Sequence, residues 1–411
     1  MNIEYFISQK LLTAKDRKSS ISAPIIKIAI IAIAVGMIMM IIAAATGLGL
    51  QQKIREKVVA FNGHITISNF DNNYSEVSLQ PLNNNQDFYP NFKNVAGITH
   101  IQAVASKAAI IRTATNFEGI IFKGVGKDYK WDVIQDFLIQ GRIPDLNNNL
   151  NNEILISALL SQRLQLKIND KCNTFFMKVG NNQLPNLRIF KIVGIFNSGF
   201  PEFDSKFIIG DIRHVQRINK WNFNQVGNFE VFIEDFSQIK AKGDEIYAEI
   251  NSNLKSQTII EKYASIFEWL QLFDFNIMVI IIIMIAVASI NMVVAILVLI
   301  LEKSKMVGIL KAIGATNWSI RKIFLYNAAS IISKGLIWGN AIGLSLILLQ
   351  KYFGIIKLNP ENYYVNEAPI MVDIKIILLI NMVTITLILL ILLVPSYLIT
   401  KISPLQAIRH D

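Results

Sequence analysis

The sequence predicts a membrane α-helical protein: four transmembrane helices, with a large α+β extracytoplasmic domain inserted between helices 1 and 2. Three observations lead there. The 411 residues are 52% apolar, with a mean hydropathy of +0.41, which is too apolar for a soluble chain of this size. Four apolar runs each exceed the roughly 18 residues that span a bilayer. Between the first two runs lies a long polar stretch with short β-branched segments set off by turn residues.

Residues 1–24 form a cytoplasmic N-terminal amphipathic segment. Ile3, Phe6, Ile7, Lys10 and Leu11 suit a short helix lying on the membrane face. Residues 25–50 are transmembrane helix 1. A cleaved signal peptide ending at Ala43-Ala44-Ala45 is rejected, because the region before the run is too long and the run outlasts a signal core. Residues 51–272 form the periplasmic domain, long enough to bury its own core. Strands are expected at 64–68, 119–124, 173–179, 188–196, 206–209 and 228–233, and helices at 153–166 and 238–250.

Residues 273–301, 323–350 and 374–399 are transmembrane helices 2, 3 and 4. Helix 3 carries Asn327, Lys334 and Asn340. A lysine at that depth is costly and either faces a bundle interior or snorkels. The reading preferred for Lys334 is a lysine near a tilted or broken helix, with a proton or substrate path as the rival. Residues 302–322 form a cytoplasmic segment, 351–373 an outer loop and 400–411 a cytoplasmic tail.

Orientation follows from lysine and arginine in the short loops. Lys10, Lys15, Arg17 and Lys18 precede helix 1. Lys303, Lys305, Lys311, Arg321 and Lys322 lie between helices 2 and 3, and Lys401 and Arg409 follow helix 4. The 353–373 loop has Lys357 against Glu361, Glu367 and Asp373. Both termini and the central segment are therefore expected in the cytoplasm, and the large domain outside.

Formal net charge is +10. Basic balance also marks nucleic-acid binders, but this charge clusters beside the apolar runs, so no nucleic-acid partner is expected. The single cysteine, Cys172, has no internal disulfide partner. Asn-rich runs such as 147–149 read as loops. The text nearest a phosphate loop, Gly119 to Lys127, has the wrong spacing, and Asp128 stands where Ser or Thr would meet Mg²⁺. His64, His100, His214 and His410 lack metal-ligand spacing. Asn197-Ser198-Gly199 lacks the nucleophile pattern. No catalytic residue, cofactor or metal is expected in this chain, and any energy must come from a partner.

The port for that energy is Glu302–Phe324, EKSKMVGILKAIGATNWSIRKIF. Met306, Ile309, Leu310 and Ile313 make one apolar stripe of a helix. Gly308, Ala312 and Ala315 make a second stripe of small residues, which lets another surface approach closely. Gly314 is placed to end this helix in the left-handed region, and Thr316 or Asn317 to cap the next. An ordinary basic loop would share this spacing.

The residue identities go further. Lys305-x-x-Gly308-Ile-Leu-Lys-Ala-Ile-Gly-Ala-Thr316 resembles the coupling helix of the FtsX/MacB/LolCDE class of ABC-transporter permeases, with Met306-Val307 in place of Glu-Ile. Val193-Gly-Ile-Phe-Asn-Ser-Gly-Phe-Pro-Glu-Phe-Asp204 resembles a segment of the lipoprotein-releasing LolC/LolE family. So do Leu358-Asn-Pro-Glu-Asn-Tyr-Tyr-Val365 with Pro369, Phe61-Asn-Gly-His64-Ile-Thr-Ile, and the tail Ile402 to Arg409. Departures fall at Ser157, where relatives often have glycine, at Ile168-Asn169-Asp170, where Gly-Asp is usual, and at Gln406.

The resemblance implies a permease subunit with no nucleotide site of its own, in the bacterial inner membrane. Its partners would be a LolD-like ATPase that binds ATP, a second permease copy or homologue, a lipoprotein substrate and a LolA-like periplasmic carrier. Lys305, Met306, Gly308, Ile309, Leu310, Ala312, Ile313, Gly314 and Ala315 would dock the ATPase. The hairpin tip Gly180, Asn181, Asn182, Gln183, Leu184 and Pro185 would meet the carrier. Met40, Ile41, Leu48, Phe273, Phe275 and Met278 would admit the lipid-linked cargo. An FtsX-like regulator of cell-wall hydrolysis and a MacB-like export pump are the alternatives.

Overall fold

Four helices are long and apolar enough to cross a membrane: Ala23–Asn62, Ala264–Glu302, Asn317–Phe353 and Ile374–Thr400. They are called spans 1 to 4 below. The computed structural model describes residues 3–13, 22–72, 75–147, 150–177 and 185–401. The chain divides into a membrane unit (Met1–Gln52, Leu270–Lys357, Glu367–Asp411) and an outer unit (Lys53–Trp269, Leu358–Asn366). The expected outer loop at 351–373 is thus shared between the two.

Span 1 is the hub of the membrane unit. Half of its most apolar stretch is buried, against 22% for spans 2 and 4. Pro24 sits in its first turn, where the missing N–H has no helical partner to lose. The close neighbour of span 1 is span 3, along Gly335, Gly339 and Gly343. A Cβ added at Gly339 would lie 2.6 Å from Met37 Cβ, and one at Gly335 2.8 Å from Ile33 Cβ. Spacing of four puts the three glycines on one helix face, so the two backbones approach closely. That is how helices pack in lipid, where apolar surface by itself gives no preference. Gly36 of span 1 faces Met284 of span 2. Spans 3 and 4 are joined by reciprocal amide bonds: Asn340 donates to Asn381 at 2.7 Å and Asn381 donates back at 3.0 Å. The N-terminal helix Ile3–Thr13 touches span 3, with the Tyr5 and Tyr326 rings 5.8 Å apart.

In the outer unit Gly63 (φ +69) ends the span 1 helix, and its N–H reaches the Val59 carbonyl at 2.8 Å. The strands, in chain order, are β1 Ile65–Asn69, β2 Leu82–Asn83, β3 Ile98–Arg112, β4 Phe117–Val125, β5 Leu138–Gly141, β6 Glu153–Ser157, β7 Lys171–Phe176, β8 Asn186–Phe196, β9 Phe207–Asp211, β10 Gln225–Val226, β11 Asn228–Ile233 and β12 Leu254–Thr258. The large sheet runs β12-β1-β11-β3-β4-β9-β6-β8-β5, with β7 paired to β3 and β8, and β2 pairs β10 apart from it. β4 with β9 and β6 with β8 are parallel. Phe122, Phe176 and Phe190 fill the core, with Phe122 and Phe190 stacked at 5.1 Å.

Two expectations fail in the outer unit. Residues 153–166 are not one helix: Glu153–Ser157 is a strand buried between β9 and β8, and only Ala158–Leu164 is helical. Ser157 caps that helix, accepting the Leu160 N–H at 3.0 Å. The longest strand, β3, was not expected at all. Residues 101–105 are all buried between β11 and β4, so no polar alternation marks them. The helix Ile212–Asn219 was also unforeseen. The helix Ile239–Glu249 falls within the expected 238–250.

Candidate functional site

The segment between spans 2 and 3 folds as its residues direct. Ser304–Ala312 is a helix, Gly314 turns with φ +94, and Thr316 Oγ1 accepts the Ser319 N–H at 3.2 Å to open span 3. The faces differ from the expected stripes. Val307 and Gly308 are buried, while Met306, Leu310 and Ala315 pack onto the membrane core. Lys305, Ile309, Ala312, Ile313 and Gly314 are exposed, Ile309 by 55% and Ile313 by 74%. Gly308 and Ala315 therefore belong to the chain's own packing, and the outward face is Lys305–Ile309–Ala312–Ile313. At 100° per residue, 305, 309 and 312 share one side and 307 faces the other. Lys311 Nζ donates to the Ile399 carbonyl at 2.7 Å, tying the helix to the end of span 4. Arg321 donates to Ser396 Oγ at 3.1 Å and to the Leu393 carbonyl at 3.0 Å, beside Pro395, which cannot complete the helical ladder.

A second site lies in the outer unit, where the span 1 helix ends and the approach to span 2 begins. Asn62 Oδ1 accepts from Lys262 Nζ at 3.0 Å and from the Tyr263 hydroxyl at 3.1 Å. Lys123 donates to the Phe61 carbonyl and to Glu230 at 2.6 Å, both side chains being 5% exposed or less. Gln102 donates to the other Glu230 oxygen at 2.8 Å. Burial lowers the Lys262 pKa, with Glu230 pulling it back up, and burial pushes the Tyr263 phenol well up. A polar cavity of about 50 Å³ between these groups has room for a few waters. Both helix ends thus hang on one buried hydrogen-bond network.

The segments 193–204 and 358–365, far apart in sequence, meet in the outer unit. The Phe200 and Tyr364 rings stack at 4.5 Å. The Tyr364 hydroxyl donates to Glu202 at 3.3 Å, and Lys57 Nζ donates to the Tyr364 carbonyl at 2.6 Å. Tyr364 itself has φ +60, uncommon for a residue with a side chain. Ser198 is buried and donates to Asp204 at 2.8 Å, and burial raises the Asp204 pKa. The sequence departure at Asn169 sits at φ +70, which asparagine tolerates nearly as glycine does.

The proposed cargo residues separate. Phe275 and Met278 are 58% and 52% exposed, whereas Met40 and Ile41 are 1% exposed in the core of the membrane unit. Both are packed in that core rather than on a surface, with Gly343 of span 3 against Ile41. Leu48 and Phe273 are half-buried. In the hairpin tip, 180–184 lie outside the described residues, and Pro185 is exposed. The strands leading to it carry an apolar row, Ile110 opposite Phe175 opposite Leu187, with Leu187 45% and Met177 60% exposed.

Lys334 is exposed near the middle of span 3. Asn327 is buried, its amide donating to the Ile323 carbonyl. Among the described residues no group of His, Cys, Asp and Glu is arranged to hold a metal. The Gly119–Gly124 stretch is ladder-paired strand β4, and Asp128 accepts the Tyr89 hydroxyl at 3.0 Å.

Membrane helices with an α+β domain between the first two, and a helix returning to the core between the second and third, define a permease of the FtsX/MacB type. The family model for the MacB-like periplasmic core domain matches residues 28–257, and that for the FtsX-like permease C-terminal region matches 278–404. A relative from Neisseria meningitidis, named lipoprotein-releasing system transmembrane protein LolC, is 24% identical over all of both chains. One of the same name from Buchnera aphidicola is 24% identical over 94% of each. The periplasmic region of MacB from Actinobacillus actinomycetemcomitans covers 50% of this chain and 92% of its own, at 14% identity and a TM-score of 0.34. The chain belongs to the family of MacB-like, FtsX-type ABC-transporter permeases, multi-pass membrane proteins with a periplasmic-type domain.

Proposed function

We propose that this permease uses ATP hydrolysis by a separate ATPase subunit to release lipoproteins from the inner membrane towards the outer membrane. The observation that carries the reading is the end-to-end match to relatives named for lipoprotein release. Both termini and the Ser304–Ala312 helix are read as cytoplasmic from the lysine and arginine bias. ATPase docking is assigned to Lys305, Ile309, Ala312 and Ile313, an exposed apolar stripe on a helix otherwise packed into its own chain. Closure of the ATPase would move spans 2 and 3, and the network at Asn62, Lys123 and Lys262 would carry that movement into the outer domain. The cargo's acyl chains would lie against Phe275 and Met278, since moving them into water costs about 0.8 kcal/mol per CH₂. The apolar row beside the 175–190 hairpin suits a periplasmic carrier. A second permease, identical or homologous, would complete the transporter.

Depletion of the protein tests the reading. Outer-membrane lipoproteins should accumulate in the inner membrane while division and drug efflux continue. Normal lipoprotein sorting with failed cell separation would move the assignment to an FtsX-like regulator, and lost efflux alone to a MacB-like pump.

A further inference from the structure

Spans 3 and 4 enclose an open cavity of about 470 Å³ at the end nearest the Ser304–Ala312 helix. Its walls are mainly aliphatic, with Leu325 and Ala329 from span 3 and Ile385, Leu389 and Leu393 from span 4, and one hydroxyl, Thr386. Lys322 and Tyr326 stand at its mouth. Lys322 lies within the first two turns of the span 3 helix, at the depth of lipid headgroups. Ala329 is seven residues further, about 10 Å at 1.5 Å per residue. One turn beyond Ile385, the Asn381–Asn340 pair bridges the two spans. The groove thus runs from the interface into the hydrocarbon, with a cation at the wet end.

Among the described residues, two charged neighbours of that mouth stand out. Glu4 of the N-terminal helix approaches Lys322 at 3.9 Å, the outer limit of an ion pair, and the Lys322 side chain stays 39% exposed. The neighbouring Arg321 is turned away, occupied with the Leu393 carbonyl and Ser396. One exposed ammonium above an aliphatic slot complements one amphiphile: an acyl chain joined to a negative headgroup. A neutral acyl chain would fill the slot equally well and leave Lys322 without use.

We propose that this groove binds an anionic phospholipid, one acyl chain between spans 3 and 4 and its phosphate against Lys322. The lipid would brace the two spans beside the helix that meets the ATPase. Nothing in this assignment depends on the cargo.

Native mass spectrometry of the full-length chain tests it, after delipidation and exposure to mixed micelles of phosphatidylglycerol or phosphatidylcholine. Wild type should retain phosphatidylglycerol preferentially. Lys322→Gln should weaken that retention about fivefold, the share of one lysine at an anionic surface, and Ala329→Trp should abolish it by filling the slot. Lys27→Gln, another exposed lysine at a span terminus, should leave it unchanged. Lys322→Gln alters a half-exposed side chain, so it remains informative if Ala329→Trp misfolds. Equal retention of both lipids, or an unaltered preference in Lys322→Gln, would overturn the proposal. So would displacement of the bound lipid by a triacylated lipopeptide, which would make the groove a cargo site.

Discussion

Lys123→Met removes the cation from the buried network of the outer domain while nearly preserving side-chain length. In the wild type, Lys123 Nζ lies 2.6 Å from Glu230 with both side chains 5% exposed or less, and it also holds the Phe61 carbonyl. Breaking a buried pair from one side costs about 3–5 kcal/mol, because the remaining charge is left uncompensated. The adjoining 50 Å³ cavity can bring water to Glu230, so the lower end of that range applies. For a unit of this size each kcal/mol shifts the melting temperature by about 2–4 °C. Thermal unfolding followed by circular dichroism should therefore fall by about 6–12 °C in Lys123→Met. The double variant Lys123→Met with Glu230→Leu should recover part of it, since the carboxylate is no longer left unpaired, while Lys262 and Gln102 lose Glu230 as a partner. Release of lipoproteins in the double variant should stay impaired, because the Phe61 carbonyl has lost its donor. A shift below about 2 °C in the single variant would refute the assigned burial cost, and full transport in the double variant would refute the role in transmission.

Three further outcomes are expected. Ile309→Asp places a charge on the outward face of the Ser304–Ala312 helix, and should leave membrane levels normal while the ATPase is lost on purification; a fully active complex would reject that face. Gly339→Leu drives a side chain into Met37 and the Ala34 carbonyl, overpacking that costs about 1–3 kcal/mol. Its steady-state level should fall below that of Ala341→Leu, which sits on the exposed face of the same span, and equal levels would contradict the close packing. Burial, with Lys130 adding its charge, holds the His64 imidazole down to about 4, and its Nδ1 accepts the Ile233 N–H at 3.2 Å. Because the folded pKa is depressed, the stability His64 contributes is present above about pH 6.5 and lost as pH falls towards 4. The loss is on the order of 3 kcal/mol across that window. Unfolding temperatures of wild type and His64→Asn at pH 7.5 and 4.5 should diverge in slope, and parallel curves would dismiss the linkage.

The architecture was legible in the sequence because lipid imposes length and hydropathy directly. The turn between spans 2 and 3 was legible too, because Gly314 and Thr316 each suit one backbone geometry. What escaped has physical reasons. Strand β3 is buried on both faces from residue 101 to 107, so that stretch carries no period. Glu153–Ser157 and the helix after it are both apolar, and only the cap at Ser157 separates them. The outward face of the Ser304–Ala312 helix depends on what the membrane unit covers: Gly308 reads as a docking glycine until Val307 beside it is seen to point inward. Ile41 likewise reads as part of a cargo entry until Gly343 of span 3 is placed against it. The signal for that contact, Gly335-x-x-x-Gly339-x-x-x-Gly343, was present in the sequence. The meeting of Phe200 with Tyr364 left no local trace, since neither segment predicts the other.

The glycine face of span 3 also bears on how the protein is made. Span 1 leaves the ribosome first, yet the flank formed by Ile33, Met37 and Ile41 finds its cover only on Gly335, Gly339 and Gly343. Gly343 follows Asn62 by 281 residues. At about 5–20 residues per second, synthesis of that stretch takes roughly 15–60 s. Throughout that interval this close helix contact has one half missing. The newborn span must wait in lipid, or be sheltered by the insertion machinery, while an entire extracytoplasmic domain is translated and exported behind it.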